Sequence, residues 1–292
     1  MFLCKTKGVI KMAKITVKAV QCGSFGLDRD ALVAGAQLTI HNKNKPREWY
    51  ACPSFTYVID HPDGKMLFDA SIWRGWKEEW PQGWVDTTDY TMASDEEYFE
   101  ARLKQLKLDP SDFKYVFLSH LHSDHAGNAR LFAGTNAQIL VHEKELNGVA
   151  QLEADGKNAH NFFLSSDYSV SGLKYTTMYG DQEIMKGIRT ISLPGHTWGT
   201  MGLMIELEHS GTIILSGDSL YLADSYHTGM GSMIDENRDE WRRSLNKIKL
   251  LQKAHNAMII PGHDHNVIHH ECSCSPLKSE NKLRLWPDAQ YD

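Results

Sequence analysis

The stretch YVFLSHLHSDHAGN carries His120, His122, Asp124 and His125 within six residues, directly after a run of apolar β-formers. Three imidazoles and a carboxylate beside a buried strand are costly to desolvate unless something satisfies them. A metal ion does so; the alternative is a hydrogen-bonded polar cluster with no ligand. Imidazole nitrogen and carboxylate oxygen, without thiolate, suit a catalytic Zn²⁺ that keeps an open position. With 15 His in 292 residues, the pattern H-x-H-x-D-H arises by chance only on the order of a few times per thousand such chains, which favours the metal.

One ion cannot easily use all four residues and stay open, so further donors are expected at other strand ends. His196 follows RTISLPG, Asp218 follows TIILSG and His263 follows AMIIPG. Each comes after an apolar β-run and a glycine. Each alone could equally be a surface or core residue; as a set they can project from one sheet edge. Five histidines and two aspartates are enough for two divalent ions sharing a bridging carboxylate and a bridging water. Such a centre acidifies the water and polarises a carbonyl or phosphoryl oxygen. The donors suit Zn²⁺ and tolerate Fe, Co or Mn.

The elements that must position these residues follow from patterning. KITVKAVQCGSF, AQLTIHN, SFTYVIDH and KMLFDAS read as strands, with HPDGK as a hairpin turn. SDEEYFEARLKQLKL reads as a helix with Ser94 and Glu97 as a capping box and Tyr98, Phe99, Leu103 and Leu106 at helical spacing. YVFLS is a buried strand ending at the histidine cluster. QILVHEKE reads as strand into helix; KYTTMYG, GIRTISLPG, MGLMIELE, GTIILSGDS and AMIIPGHD read as further strands. Residues 236–254 read as a helix with Trp241, Leu245, Ile248 and Leu251 on one face. Strands and helices in both halves predict an α/β (α+β) chain: a four-layer αββα sandwich of two mixed sheets flanked by helices. No Gly/Ser/Pro-rich linker divides it, so residues 12–292 are expected to form a single domain. Residues 1–11 form a tail if Met12, rather than Met1, is the start.

Composition narrows the class. A net charge of −6 and no basic stripe argue against nucleic-acid binding. No window approaches the 18 or so apolar residues of a membrane span, and the N-terminus lacks the apolar core and cleavage site of a signal peptide. Five cysteines, an odd number, fit reduced thiols in a cytoplasm. Cys272 and Cys274 form a C-x-C pair, read as ordinary thiols or as an aid to metal binding.

At this point the chain resembles the metallo-β-lactamase superfamily. SHLHSDHAGN, LPGHTWG, LSGDSLY and IPGHD stand in that family's order, over roughly residues 50–270. LFDAS resembles its strand-end aspartate motif, which usually reads D-T-G and here is D-A-S at Asp69 to Ser71. Within the family it is most similar to the N-acyl-homoserine lactonases, on His122 in place of Glu, the PGHTxG form at His196, and Tyr221 three residues after Asp218. The resemblance implies that His120, His122 and His196 hold a first ion, that Asp124, His125 and His263 hold a second, and that Asp218 bridges. It implies Asp69 as the partner that fixes the tautomer of a ligand imidazole. It implies ring opening of a lactone by a bridging hydroxide, with Tyr221 steadying the oxyanion and Asp124 moving the proton to the leaving oxygen. Without it, Tyr221 reads as a core aromatic.

Two departures bear on the substrate. Ser123 stands where many lactonases carry Phe, which leaves room and a polar handle in the pocket. SIWRGWKEEWPQGW places Trp73, Trp76 and Trp80 at helical spacing, Pro81 ends the run and Trp84 follows. Those indoles read as a core-facing helix, as an apolar entrance wall for an acyl chain, or as a homodimer contact. His227 could reach substrate; His265 competes with His263 as a donor, and His269 and His270 read as surface residues. The competing functions are a thioesterase of the hydroxyacylglutathione type, a phosphodiesterase or another esterase, and a non-catalytic metal-binding protein.

Overall fold

The protein is described by a computed structural model over residues 14–34, 40, 44, 46–92, 94–267 and 290–291. The expected tail with Met12, the strand AQLTIHN apart from Ile40, and His269, His270, Cys272 and Cys274 lie outside these residues.

Among the described residues, two large sheets form. The first runs, strand by strand, Gln290–Tyr291, Thr16–Asp28, Trp49–Asp60, Lys65–Phe68, Phe113–Phe117, Gln138–His142 and Lys174–Met178, with Asp89–Thr91 paired to Thr16–Asp28. Its last four strands are mutually parallel. The second runs Glu183–Met185, Ile188–Ser192, Met201–Leu207, Gly211–Leu215 and Met258–Ile260, antiparallel except for its last pair. Both sheets are mixed, as expected.

Alternation along the strands makes the layers. Phe55, Tyr57, Ile59, Met66, Phe68 and Phe117 of the first sheet share one core with Leu203, Ile205, Ile213, Leu215 and Ile260 of the second. Their neighbours point the other way: Val58, Leu67 and Val116 pack with Leu103, Val149 and Leu152 of the helices Phe99–Gln105 and Glu143–Ala154. Met204, Ile214 and Ile259 pack with Trp241, Leu245 and Ile248 of the helix Arg238–His255. Helix, sheet, sheet, helix is the αββα order. Each fully buried Leu, Ile or Phe contributes about 1.5–3 kcal/mol relative to exposure, so the alternation holds the sheets in register.

Two expectations need correction. The segment from Ser94 is not one helix: a 3₁₀ turn spans Asp95–Glu97, Tyr98 is extended (φ −61°, ψ 146°), and the α-helix covers only Phe99–Gln105. Tyr98 packs into the Trp76/Trp80 aromatic cluster while Phe99 and Leu103 pack under the first sheet, and the backbone turns between the two. Trp73, Trp76 and Trp80 do not share a helix either. The helix is the single turn Trp76–Glu79, and Pro81 starts a second, Gln82–Val85. Among the described residues, no helix is long and apolar enough to cross a membrane.

Candidate active site

The chemistry-bearing residues sit where strands end. Lys65–Phe68, Phe113–Phe117 and Gln138–His142 are parallel neighbours, and beyond their C-termini come Asp69, the His120–His125 segment and the helix Glu143–Ala154. In the second sheet, Ile188–Ser192, Gly211–Leu215 and Met258–Ile260 lead into His196, Asp218 and His263. The two sheets meet there, with His125 Nε2 3.2 Å from Asp218 Oδ1, and within the second sheet the strand ends also crowd together. A Cβ on Gly262 would lie 2.6 Å from Asp218 Oδ1, so only glycine lets that strand end reach the aspartate.

Two donor groups result: His120, His122 and His196, and Asp124, His125, Asp218 and His263, with the donor atoms of each group within 4.8 Å of one another. Asp218 spans them. Its Oδ1 lies 3.2 Å from His125 Nε2 and 3.0 Å from His263 Nε2. Its Oδ2 lies 3.5 Å from His196 Nε2 and 4.0 Å from His120 Nε2. Asp124 Oδ2 faces His125 Nε2 at 3.3 Å and His263 Nε2 at 3.4 Å. Six of the seven donors are buried, and among the described residues both Asp218 oxygens and His120 Nε2 lack any hydrogen-bond partner. Buried orphan polar atoms are rare and each calls for an explanation. Divalent metal fits them: the donors are imidazole and carboxylate, and the orphaned atoms face the two clusters.

The far sides of His120, His125, His196 and His263 are also held. Asp69 Oδ2 lies 2.8 Å from His125 Nδ1, while the Ser119 amide and hydroxyl donate to Asp69 at 2.7 and 2.9 Å. Asp69 sits at φ 59°, a left-handed conformation unusual for a non-glycine residue. Ser71, at the third place of D-A-S, is also left-handed at φ 52°. His196 Nδ1 is 3.2 Å from Asp235 Oδ1, His263 Nδ1 is 3.0 Å from the Pro53 carbonyl, and His120 Nδ1 is 3.0 Å from Ser119 Oγ. Such partners fix ring orientation and tautomer.

Electrostatics divides the cluster. Burial, then the neighbouring imidazoles, holds His120 well below the usual histidine range, and His122 likewise, so both remain neutral donors. Burial opposes protonation of His125, but the Asp218, Asp124 and Asp69 carboxylates outweigh it and hold the ring well above that range. His263 is raised in the same way against burial, chiefly by Asp218. Burial works against ionisation of Asp218, yet His125 and His263 hold its carboxyl well below the ordinary carboxylate range. Burial, with the Asp218 and Asp124 charges, pushes the Tyr221 phenol well up, so its O–H stays a donor at neutral pH.

Tyr221 stands over the cluster, with its ring centroid 5.3 Å from that of His196 and 5.3 Å from that of His263. It lines both a small chamber with His122, Ser123, Asp124 and Trp80, and an apolar cavity of about 410 Å³ that reaches Leu27, Leu32 and Trp49. Leu27, Phe162 and Ile234 also line both. The Ser123 hydroxyl donates to the Phe162 carbonyl at 3.1 Å, so the expected free polar handle is already engaged. Of the tryptophans, Trp80 lines the chamber, Trp76 is buried between Trp80 and Tyr90, and Trp73 lies under the Arg130 guanidinium at 4.8 Å. Trp84 packs on Phe162 at 5.1 Å. His227 is exposed, in the helix Ala223–Thr228, and lines neither space. His265 packs on Tyr50 at 4.9 Å and belongs to neither donor group.

Asp235, Phe162 and Ile234 escaped the sequence reading, and Ser119, the first residue of SHLHSDHAGN, had no role assigned there. Asp235 and Phe162 belong to no short motif, and their contacts with His196 and Ser123 each span 39 positions along the chain. Glu145 had a signal: it falls four and seven residues before Val149 and Leu152, on the buried face of its helix.

A buried His/Asp donor cluster thus sits at the shared edge of a two-sheet sandwich, an arrangement suited to holding divalent metal. A family model described as the metallo-beta-lactamase superfamily matches residues 49–263. The chain belongs to that superfamily, as a hydrolase related to lactonases. It is 25% identical over 239 residues to the N-acyl homoserine lactonase AiiA of Bacillus thuringiensis subsp. kurstaki, covering 81% of this chain and 90% of the relative. It is 24% identical over 225 residues to the N-acyl homoserine lactonase AttM of Agrobacterium fabrum, covering 74% of this chain and 83% of the relative. A solved N-acyl homoserine lactone hydrolase with N-hexanoyl-L-homoserine at its catalytic metal centre superposes with a TM-score of 0.75 at 23% identity, over 90% of this chain and 98% of that one. The likeness bears out the four-layer fold.

Proposed function

We propose that the protein is a dinuclear metal-dependent lactonase that opens the ring of an N-acyl-homoserine lactone. The observation that carries this is Asp218, whose two oxygens face two separate donor groups beneath Tyr221 and an apolar cavity. His120, His122 and His196 would hold one ion, Asp124, His125 and His263 the other, and Asp218 both. When bound, two divalent ions, most fittingly Zn²⁺, supply a Lewis acid and a water acidic enough to attack a carbonyl at neutral pH.

The chain's residues supply the rest. The Tyr221 hydroxyl donates to the lactone carbonyl oxygen as negative charge grows there, and burial keeps water from competing. Asp124 lines the chamber and is the one member of the two donor groups that is partly exposed, so it can receive a proton and return it to the ring oxygen as the C–O bond breaks. The apolar cavity takes the acyl chain, with Phe162, Ile234 and Leu27 along its course. The names of the relatives support the substrate class. The test is hydrolysis of short- and long-chain homoserine lactones beside a simple γ-lactone, a glutathione thioester and a phosphodiester. Turnover confined to the thioester or the phosphodiester sinks the lactonase reading.

A further inference from the structure

Glu145 is wholly buried in the first turn of the helix Glu143–Ala154, and among the described residues it forms no ion pair. Glutamates are almost never fully buried unless paired. Its carboxylate takes three hydrogen bonds instead. The Leu121 amide donates to Oε1 at 3.0 Å. The Thr197 hydroxyl at 2.8 Å and the Gly199 amide at 2.9 Å donate to Oε2. Every partner is a donor, so the ionised carboxylate is the form that fits.

Those donors come from two places. Leu121 lies between His120 and His122; Thr197 and Gly199 directly follow His196. The first segment leaves one sheet and the second leaves the other. One side chain therefore ties, from behind, the two segments that carry all three imidazoles of the first donor group. The chain makes room for it: a Cβ on Gly199 would lie 2.6 Å from the Glu145 amide nitrogen, so only glycine permits the approach. On the same helix, Gly148 makes room for Trp198, which stacks on Phe163 at 5.1 Å.

We propose that Glu145 is a positioning residue for the group His120, His122 and His196, setting the spacing of its two segments and placing a negative charge behind them, so that it raises the affinity of that group for a divalent cation. The proposal rests on the metal reading given above. An amide cannot replace the carboxylate: in either orientation its NH₂ would face a donor, leaving buried groups unsatisfied.

The test is zinc binding to metal-stripped wild type, Glu145→Gln and Thr197→Val, by competition with a chromophoric chelator, with circular dichroism to confirm the fold. Glu145→Gln should lose about ten- to a hundred-fold in affinity for one equivalent of zinc and leave the other unchanged, the scale typical of groups that orient ligands. Excess zinc should restore its activity, which a loss of fold would not allow. Thr197→Val, which removes one of the three donors, should weaken the same equivalent by less; it answers the question if Glu145→Gln does not fold. Wild-type affinity at both equivalents, or equal loss at both, overturns the assignment while the metal reading stands. Wild type that takes up no zinc overturns both.

Discussion

Ser123 and Phe162 are joined twice: the Ser123 amide and hydroxyl both donate to the Phe162 carbonyl, at 2.9 and 3.1 Å. The turn they pin is strained, with Asn161 at φ 46° and Phe162 at φ 67°, at about 1–3 kcal/mol for each such residue. The latch holds the Phe162 ring beside His122 and Trp84, where it borders both the chamber and the larger cavity. A phenyl group thus flanks the donor cluster even though position 123 is serine.

Phe162→Ala should therefore act on chain length. The KM for long-chain homoserine lactones should rise about five- to thirty-fold, the equivalent of about 1–2 kcal/mol of lost apolar contact. Short-chain substrates and metal content should change little. The same KM shift for butanoyl and dodecanoyl substrates would show that the ring does not guide the acyl chain.

Tyr221→Phe removes a hydrogen-bond donor from beside the cluster and leaves the ring packed. Its kcat should fall about a hundred- to a thousand-fold, the range for a lost oxyanion donor, at unchanged metal content. Wild-type turnover in this variant takes Tyr221 out of the mechanism.

Asp218→Asn should upset both donor groups, since each oxygen faces a different one. Elemental analysis should find fewer than two equivalents of metal per chain. Two full equivalents would end the bridging assignment.

Asp235→Asn leaves the His196 ring without its carboxylate partner. Zinc affinity at one equivalent should weaken about ten- to a hundred-fold. Titration with a competing chelator reads this directly; an unchanged curve means the pair is only structural.

Proton release accompanies metal uptake on this account. Against the opposing effect of burial, carboxylates hold His125 and His263 above the usual histidine range, so both keep protons that a metal must displace. Zinc affinity should fall as pH drops from about 8 to about 6, because protons then compete better for the donors. Adding zinc to weakly buffered, metal-free protein should acidify the solution. No acidification contradicts these protonation states.

Much of the site was legible because its donors sit at strand ends marked by apolar β-runs and glycine: the runs before His120, His196, Asp218 and His263 each gave both a strand and a residue. The sheets were legible because alternation writes the two faces of a strand into the sequence, as in Met66, Leu67 and Phe68. Helical spacing misled at Trp73, Trp76 and Trp80, where the intervals suited a helix but Pro81 and tertiary packing allowed only one turn. Of the groups behind the imidazoles, Asp69 was marked by the LFDAS motif and lies against His125, while the others were not legible. Asp235 and the Pro53 carbonyl reach His196 and His263 across 39 and 210 positions, and nothing local marks either.

The most direct measurement is steady-state hydrolysis of N-hexanoyl-homoserine lactone by protein of known metal content, before and after chelation. The account predicts ring opening at a rate well above background with two equivalents bound, loss of it on chelation and return of it with added zinc. A fully metal-loaded protein that leaves the lactone ring closed would contradict it.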